Sequence, residues 1–338
     1  MNEILAACET SDARLDRPEV SVVIVTYNSS HVISRCLQML LESAESLEII
    51  VYDNSSSDNT CAVVDKFSDV TLVRGDSNLG FAKSVNLAAQ RAKGRYICLV
   101  NPDVQITPSS IRKLATVASR RGIGVVAPNI VHPSGRLRVR ECGRFPSITS
   151  VVFHYSGISV FSRFHPFFRG MYLTGEFGSD VTEVDWVSGA VLLTSAENWN
   201  AREGLSERWF MYAEDVEFCY RVAMSGASNV VCKDVPAVHD LGGSSSGPPS
   251  ANPAWVLNLY DFYKTSMSKG RLGRLGWKYA MAGGLISRCL LYAARASRSS
   301  AANVWRDESS RFGVFARAIL TSSSDVSAKG PAEFRSKA

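Results

Sequence analysis

Three features are missing from this chain of 338 residues, and each absence narrows what it can do. Its eight cysteines (Cys8, Cys36, Cys61, Cys98, Cys142, Cys219, Cys232 and Cys289) include no C-x-x-C pair and follow no regular spacing. That argues against a zinc ribbon or a disulfide framework and reads most of them as buried, reduced small hydrophobes. No phosphate-cradling glycine loop follows the first apolar run: TYNSSH offers neither G-x-G-x-x-G nor G-x-x-x-x-G-K-[ST], so neither a dinucleotide fold nor a P-loop is supported. The first residues, MNEILAACETSDARLDRPE, carry acids where a signal peptide would have a basic stretch and an apolar core. No signal peptide is therefore expected, and cytoplasmic residence is the default.

What remains is an ordinary globular composition, 46% hydrophobic and 20% charged, enough for one large α/β core or two smaller ones. The net charge of +5 is unevenly placed. Residues 1–254 hold 23 Lys and Arg against 27 Asp and Glu, whereas residues 255–338 hold 14 against 5. The basic character lies in the C-terminal quarter, where nucleic acid, anionic lipid or water are the possible partners.

Short β-branched runs at 20–27, 47–53, 70–75 and 95–101 read as buried parallel strands. Helical candidates alternate with them: HVISRCLQMLLESA, NTCAVVDKF and FAKSVNLAAQRAKG, the last stopping at Gly94. The alternation predicts a doubly wound, mostly parallel sheet with helices on both faces. Ligands of such sheets bind beyond the carboxyl ends of the strands. Those ends are Thr26-Tyr27-Asn28, Asp53-Asn54-Ser55 and Asn101-Pro102-Asp103, each polar and each just after an apolar run.

From about Val20 to about Gly243, the segments VSVVIVTYNSS, IIVYDNSSSDNT, SNLGFAKSVNLA, LVNPDV and FMYAEDVEFCYRVAMSG resemble the ordered motifs of family 2 glycosyltransferases. The closest resemblance is to the bacterial rhamnosyltransferase-like branch. It implies a GT-A type fold and a nucleotide-diphosphate sugar donor. By family position, Asp53 would accept the N3–H of uracil or thymine, with Thr26 and Tyr27 lining the base and ribose pocket. Asn78, Gly80 and Phe81 match a second nucleotide-side loop, in which Gly80 lets backbone approach the ligand. A strand-ending turn at Asp53 and a helix cap at Asp58 are the plain structural alternatives.

Asn101-Pro102-Asp103 stands where the family has an Asp-any-Asp metal motif, and here the first acid is replaced by Asn101. The resemblance implies Mg2+ or Mn2+ held by Asp103 and the diphosphate, with His239 as a third group. Glu214-Asp215 matches the family's acidic pair, Asp215 at the position of the catalytic base and Glu214 beside it as acceptor ligand or helix-terminal charge. The flanking Phe210, Met211 and Tyr212 would give Asp215 apolar walls and a raised pKa. Glu217 and Arg221, one turn apart, are read as a pair. Trp186, Ser188 and Gly189 would sit under the donor sugar or the acceptor, although a tryptophan beside a strand is often core. The segment 132–177 shows no sustained period; its arginines and aromatics fit either an acceptor-side flap or an irregular packed insertion.

Leu272, Leu275, Tyr279, Ala282, Ile286 and Leu290 share one face of a helical period, with Arg271, Arg274, Lys278, Arg288 and Arg295 largely on the other. Lys278 and Arg288 interrupt the apolar run too early for a membrane span. The helix is therefore expected to lie on an anionic membrane surface, the alternative being a helix packed back on the catalytic domain. Its aromatics do not interleave as a nucleic-acid stacking platform, so no nucleic-acid partner is expected. The expected layout is an N-terminal extension (1–18), a catalytic domain (19–245), a Gly/Ser/Pro linker (246–254), a basic helical region (255–318) and a disordered tail (319–338). The expected activity is inverting, metal-dependent transfer of a sugar onto a polyprenyl-diphosphate-linked saccharide in cell-surface polysaccharide synthesis, at the inner face of the membrane. dTDP-L-rhamnose is the donor to which the resemblance points. A UDP-hexose or UDP-galactofuranose transferase and a catalytically silent nucleotide-sugar-binding subunit are the alternatives.

Overall fold

The computed structural model describes residues 19–43, 47–131, 141–173, 179–240, 251–298 and 302–322. The expected N-terminal extension, Arg136, Arg138 and Arg140, the Gly/Ser run after Asp240 and most of the expected tail lie outside them. Within them the chain begins with β1 (Val20–Thr26), α1 (Ile33–Leu40), β2 (Glu48–Asp53), α2 (Thr60–Val64), β3 (Val70–Arg74), α3 (Phe81–Ala89), β4 (Tyr96–Val100) and β5 (Val104–Gln105). Then come α4 (Pro108–Ala118), β6 (Ile123–Val131), β7 (Cys142–Gly143), α5 (Ile148–Ser156) and two 3-10 turns, Ile158–Arg163 and Pro166–Phe168. β8 (Val181–Val184), β9 (Trp186–Val187), β10 (Val191–Ser195), α6 (Ala196–Asn200), α7 (Glu214–Met224) and β11 (Ser228–His239) complete the sheet region. The C-terminal part is α8 (Ala254–Phe262), a π turn (Tyr263–Met267), α9 (Arg271–Ala296) and α10 (Ala302–Thr321).

The main sheet has the order β3-β2-β1-β4-β10-β6-β11-β5, with β8 added beside β11. Pairing is parallel among β3, β2, β1 and β4 and between β6 and β11, and antiparallel wherever β10, β5 or β8 takes part. Six strands thus run one way and three the other, a mostly parallel sheet as the alternation predicts. The first four expected strands fall within a residue or two of the observed ones. β1, β2 and β4 are apolar runs covered on both faces, β4 buried throughout and β1 and β2 with one residue each that is not, whereas β3, at the sheet edge, has no buried residue.

The reversed strand β10 sets the position of the site. Val191 pairs with Val100, so the loop that feeds β10, Ser188-Gly189-Ala190, arrives at the carboxyl end of β4, where Asn101 N–H donates to Ala190 C=O at 2.9 Å. β11 is kinked by an irregularity between Cys232 and Pro236 and then pairs with β5, setting His239 opposite Val104. That register brings a histidine 136 positions away in the chain against Asp103.

The C-terminal helices are not a separate body. Trp277 is fully buried, its indole stacked on Tyr260 and Tyr263 at 5.4 Å each and donating to the carbonyl of Pro146. With Met281, Leu285, Phe315 and Ile319 it joins the same apolar cluster as the sheet and α7. α10 runs on to Thr321, past the expected boundary at 318. Of the face expected to meet a membrane, Ala282 is buried, whereas Leu272, Leu275, Tyr279, Ile286 and Leu290 are exposed. The helix packs back with one stripe and leaves a second apolar stripe uncovered. The 3.6-residue period showed the second but not the first, whose key member is a tryptophan among glycines. Among the described residues no helix is long and apolar enough to cross a membrane.

No disulfide joins the seven described cysteines. Burial pushes the thiols of Cys36 and Cys98 up to about 12, so they stay protonated small hydrophobes.

Candidate active site

At the carboxyl end of β2, Asp53 is buried and already accepts three hydrogen bonds, from Thr26 Oγ1 at 2.9 Å, Ser56 N–H at 2.9 Å and Ser56 Oγ at 2.6 Å. Only the backbone donor uses Oδ2, and a carboxylate offers about four acceptor positions, so room for one further donor remains there. Thr26 is itself buried and serves Asp53, while Tyr27 stands on the rim, 40% exposed. Two residues the sequence reading did not single out stitch this end together. Asn28, in the left-handed region at φ 52°, accepts Ser57 N–H at 2.8 Å. Asn54 donates to Asn78 Oδ1 at 2.7 Å and to the carbonyl of Gly80 at 3.3 Å, and accepts Leu79 N–H at 2.8 Å. Asp58 accepts from Thr60 N–H and Ser30 N–H, but it stands one residue before the N-cap, which is Asn59, so it closes the turn rather than capping the helix as expected.

The Asn78–Phe81 loop then reaches the acidic segment. Gly80 has φ 84°, and a Cβ there would strike the carbonyl of Phe210. Phe81 N–H donates to that same carbonyl at 2.8 Å. Glycine is thus required by both conformation and space. The next turn is strained: Tyr212 and Ala213 have φ of 72° and 79°, sparsely populated for residues with a Cβ. It is braced from outside by Asn258 Nδ2, which donates to Met211 C=O at 2.7 Å.

Asp215 follows in the first turn of α7 and is half-buried. Its Oδ2 accepts Gly189 N–H at 3.0 Å and its Oδ1 accepts Val216 N–H at 2.8 Å. Gly189 is wedged between the Phe81 ring and Asp215, where a Cβ would sit 3.1 Å from the ring. Burial raises the Asp215 pKa against the pull of these amides. The expected apolar walls are placed differently: Met211 and Tyr212 are each 41% exposed, because the two left-handed residues turn the chain outward. Glu217 pairs with Arg221 at 2.8 Å, as the spacing predicts.

Glu214 points the other way. It is buried, its Oε2 has no hydrogen-bond partner, and burial followed by the neighbouring Asp215 raises its pKa. It does not present itself to an acceptor. A carboxyl held above its unfolded value binds more protons in the folded state. The stability it contributes is therefore fully present below the unfolded pKa and is lost as pH rises toward the folded one. Glu214→Gln is expected to gain about 1–3 kcal/mol at alkaline pH and to flatten this slope. Urea unfolding of both proteins at acid and alkaline pH measures it, and equal slopes would count against it.

Across the 188–190 loop lies a second cluster that the sequence reading held only in part. His239 is buried, its Nε2 3.2 Å from Asp103 Oδ1 and its Nδ1 2.6 Å from Glu141 Oε1. Glu141 Oε2 accepts Ser188 Oγ–H at 2.6 Å, and Ser188 N–H donates to Glu141 C=O at 2.9 Å. Burial alone would lower the His239 pKa, but the two carboxylates outweigh it and hold the imidazolium to about 9. Glu141 was missed because it lies within the aperiodic segment 132–177, and only the approach of β7 to β9 delivers it. Tyr172 lies in the same stretch. Burial, then Asp215 and Glu141, push its phenol up to about 12, so it stays a donor beside both.

Trp186 corrects the expectation of a sugar-facing ring. It is buried, its indole N–H shared by Arg144 C=O at 3.0 Å and Met171 C=O at 3.1 Å, with Tyr172 packed edge-on. It fastens the loop rather than lining it. Ser188 and Gly189 do reach the site, through Glu141 and Asp215.

Known proteins resemble this chain in sequence and in fold. The chain is 28% identical over 251 residues to the N-acetylglucosaminyl-diphospho-decaprenol L-rhamnosyltransferase of Mycobacterium tuberculosis, covering 69% of this chain and 80% of that one. To Rhamnosyltransferase WbbL of Escherichia coli it is 23% identical, covering 66% and 82%. Among solved structures, the mannosyltransferase PcManGT from Pyrobaculum calidifontis, in complex with GDP-Man and Mn2+, superposes with a TM-score of 0.57 at 17% identity over 90% of this chain and 88% of that one. The fold is of the GT-A type. The family model Glycosyl transferase family 2 matches residues 21–169, over β1 to the second 3-10 turn.

Proposed function

We propose that the protein transfers a glycosyl group, L-rhamnose from dTDP-L-rhamnose, with inversion, onto a polyprenyl-diphosphate-linked saccharide used for cell-surface polysaccharide. The observation that carries this reading is the opposition of Asp215, held by Gly189 N–H, to the Asp103–His239–Glu141 cluster on the far side of the same loop. One carboxylate stands ready for a proton while a second group of ligands stands ready for the leaving diphosphate.

Asp103 and His239 fit a divalent cation: two buried donor atoms face each other, and Glu141 fixes the far ring nitrogen, the usual support for a metal-binding histidine. The set is small, and no cluster of three His, Cys, Asp or Glu suited to a metal occurs among the described residues. Diphosphate oxygens would complete the shell. Bound there, Mg2+ or Mn2+ would neutralise charge on the departing nucleoside diphosphate. The chain's own residues supply the remainder. Asp53 and the Asn54-locked loop hold the nucleoside end, with Asn101 between the two clusters. Asp215 orients the acceptor hydroxyl and takes its proton as the new C–O bond forms and the bond to the diphosphate oxygen breaks.

Donor consumption with purified protein, Mg2+ or Mn2+, a lipid-diphosphate-sugar acceptor and a panel of dTDP- and UDP-sugars tests the proposal. Metal-dependent loss of dTDP-rhamnose alone supports it. Consumption of a UDP-sugar replaces the donor, and donor binding without turnover favours the silent subunit. Glu141→Ala is expected to weaken Mn2+ binding in the presence of nucleoside diphosphate by about 10- to 100-fold. Manganese titration followed by paramagnetic resonance reads this directly, and an unchanged affinity would remove Glu141 from the role.

A further inference from the structure

Beyond the sheet, the segment 157–169 forms a knuckle of aromatic side chains that the core does not use. Phe161, Phe164 and Phe167 are each more than half exposed, and so is Val160. The knuckle is nonetheless built. Phe153, Phe161, Phe167 and Phe168 contact one another ring to ring at 5.4–6.2 Å. The Arg163 guanidinium lies 4.5 Å over the Phe164 ring, and Arg169 donates to Glu183 C=O at 2.9 Å. Exposed apolar surface of this density marks a contact surface rather than a solvated loop.

The occupant is indicated by charge and by position. Residues 142–173 contain three arginines and no acid, and α9 contains five Lys and Arg and no acid. α5, which leads into the knuckle, lies along α9, with Ile148 beside Gly276 and Tyr155 against Gly284. α5, from which the knuckle hangs, thus rests on α9, whose exposed Ile286 and Leu290 lie on another face than Gly284. From the knuckle the chain returns directly to the site: Leu173 N–H donates to Cys142 C=O at 2.9 Å, next to Glu141.

We propose that this aromatic knuckle, together with the exposed stripe of α9, is a lipid-facing surface that seats the protein on an anionic bilayer with the rim of the active site at the headgroups. Phenylalanines enter the interface while the arginines stay with lipid phosphates. The inference rests on the proposed lipid-linked acceptor for its purpose but not for its test.

The experiment is co-flotation of the full chain with vesicles of phosphatidylcholine and phosphatidylglycerol, and with vesicles of phosphatidylcholine alone. The wild type is expected to float with the anionic vesicles, less so at high salt. The triple variant Phe161→Ser, Phe164→Ser, Phe167→Ser is expected to bind at least about tenfold more weakly. Leu272→Ser with Leu290→Ser reports the second half of the surface without touching the knuckle. Melting temperatures and donor consumption with a water-soluble acceptor check that folding and catalysis persist. Equal flotation of wild type and triple variant overturns the proposal. So does self-association of the wild type that the triple variant abolishes, without vesicle binding, since the face would then join copies of the chain. Vesicle binding without any sugar transfer would leave this surface standing and remove the proposed activity instead.

Discussion

Asp215→Asn is expected to lower turnover by about two to four orders of magnitude with donor binding nearly unchanged. The amide keeps the shape of the carboxyl and can still accept Gly189 N–H, so the loop stays in place; what it loses is the ability to take a proton. The split between turnover and binding is what identifies a base. A variant that lost donor affinity as well would point to a structural role for the Gly189 contact, and wild-type turnover would remove Asp215 from catalysis. Comparing single-turnover rates with donor dissociation constants for both proteins gives the answer.

Trp277→Ala is expected to destabilise the protein by about 3–5 kcal/mol, the range for deleting a fully buried aromatic side chain. Its loss removes two stacking contacts and leaves the Pro146 carbonyl without its donor. The effect should also reach the chemistry. Trp277 supports Tyr260, and the same helix carries Asn258, which holds Met211 C=O, and Asp261, which accepts Trp209 Nε1–H at 3.1 Å. Those contacts brace the strained turn immediately before Asp215. Denaturant unfolding combined with turnover of the surviving folded fraction checks both parts. A loss confined to stability would separate the C-terminal helices from the positioning of the base.

Residues whose role follows from local pattern were legible in the sequence. β1, β2 and β4 are nearly continuous apolar runs, and their polar ends fall where the site is. The pairing of Glu217 with Arg221 is decided within one helical turn. Residues whose role depends on a distant register were not legible. Glu141 reaches His239 only because β7 meets β9. Trp186 points inward because the returning chain at Met171 supplies an acceptor. Glu214 and Asp215 are adjacent, yet the left-handed pair before them sends one into the core and the other into the site, which no count of acids could show. The α9 face was half legible, since period alone reports an apolar stripe without saying which of two stripes the fold covers.

The reversed strand also bears on how the chain is made. β4 is complete at residue 100, but β10, which covers its outer edge, begins only at residue 191. A ribosome adding about 5–20 residues per second needs several seconds to supply that stretch. During those seconds β4 has its parallel partners in hand and its own hydrogen-bonding edge open, in addition to that of β3, the kind of template on which strands of different chains pair by mistake. The half of the sheet that holds the nucleoside end is thus finished early and left waiting. Protection of that edge during synthesis, more than the stability of the finished fold, would then set how much active protein a cell obtains.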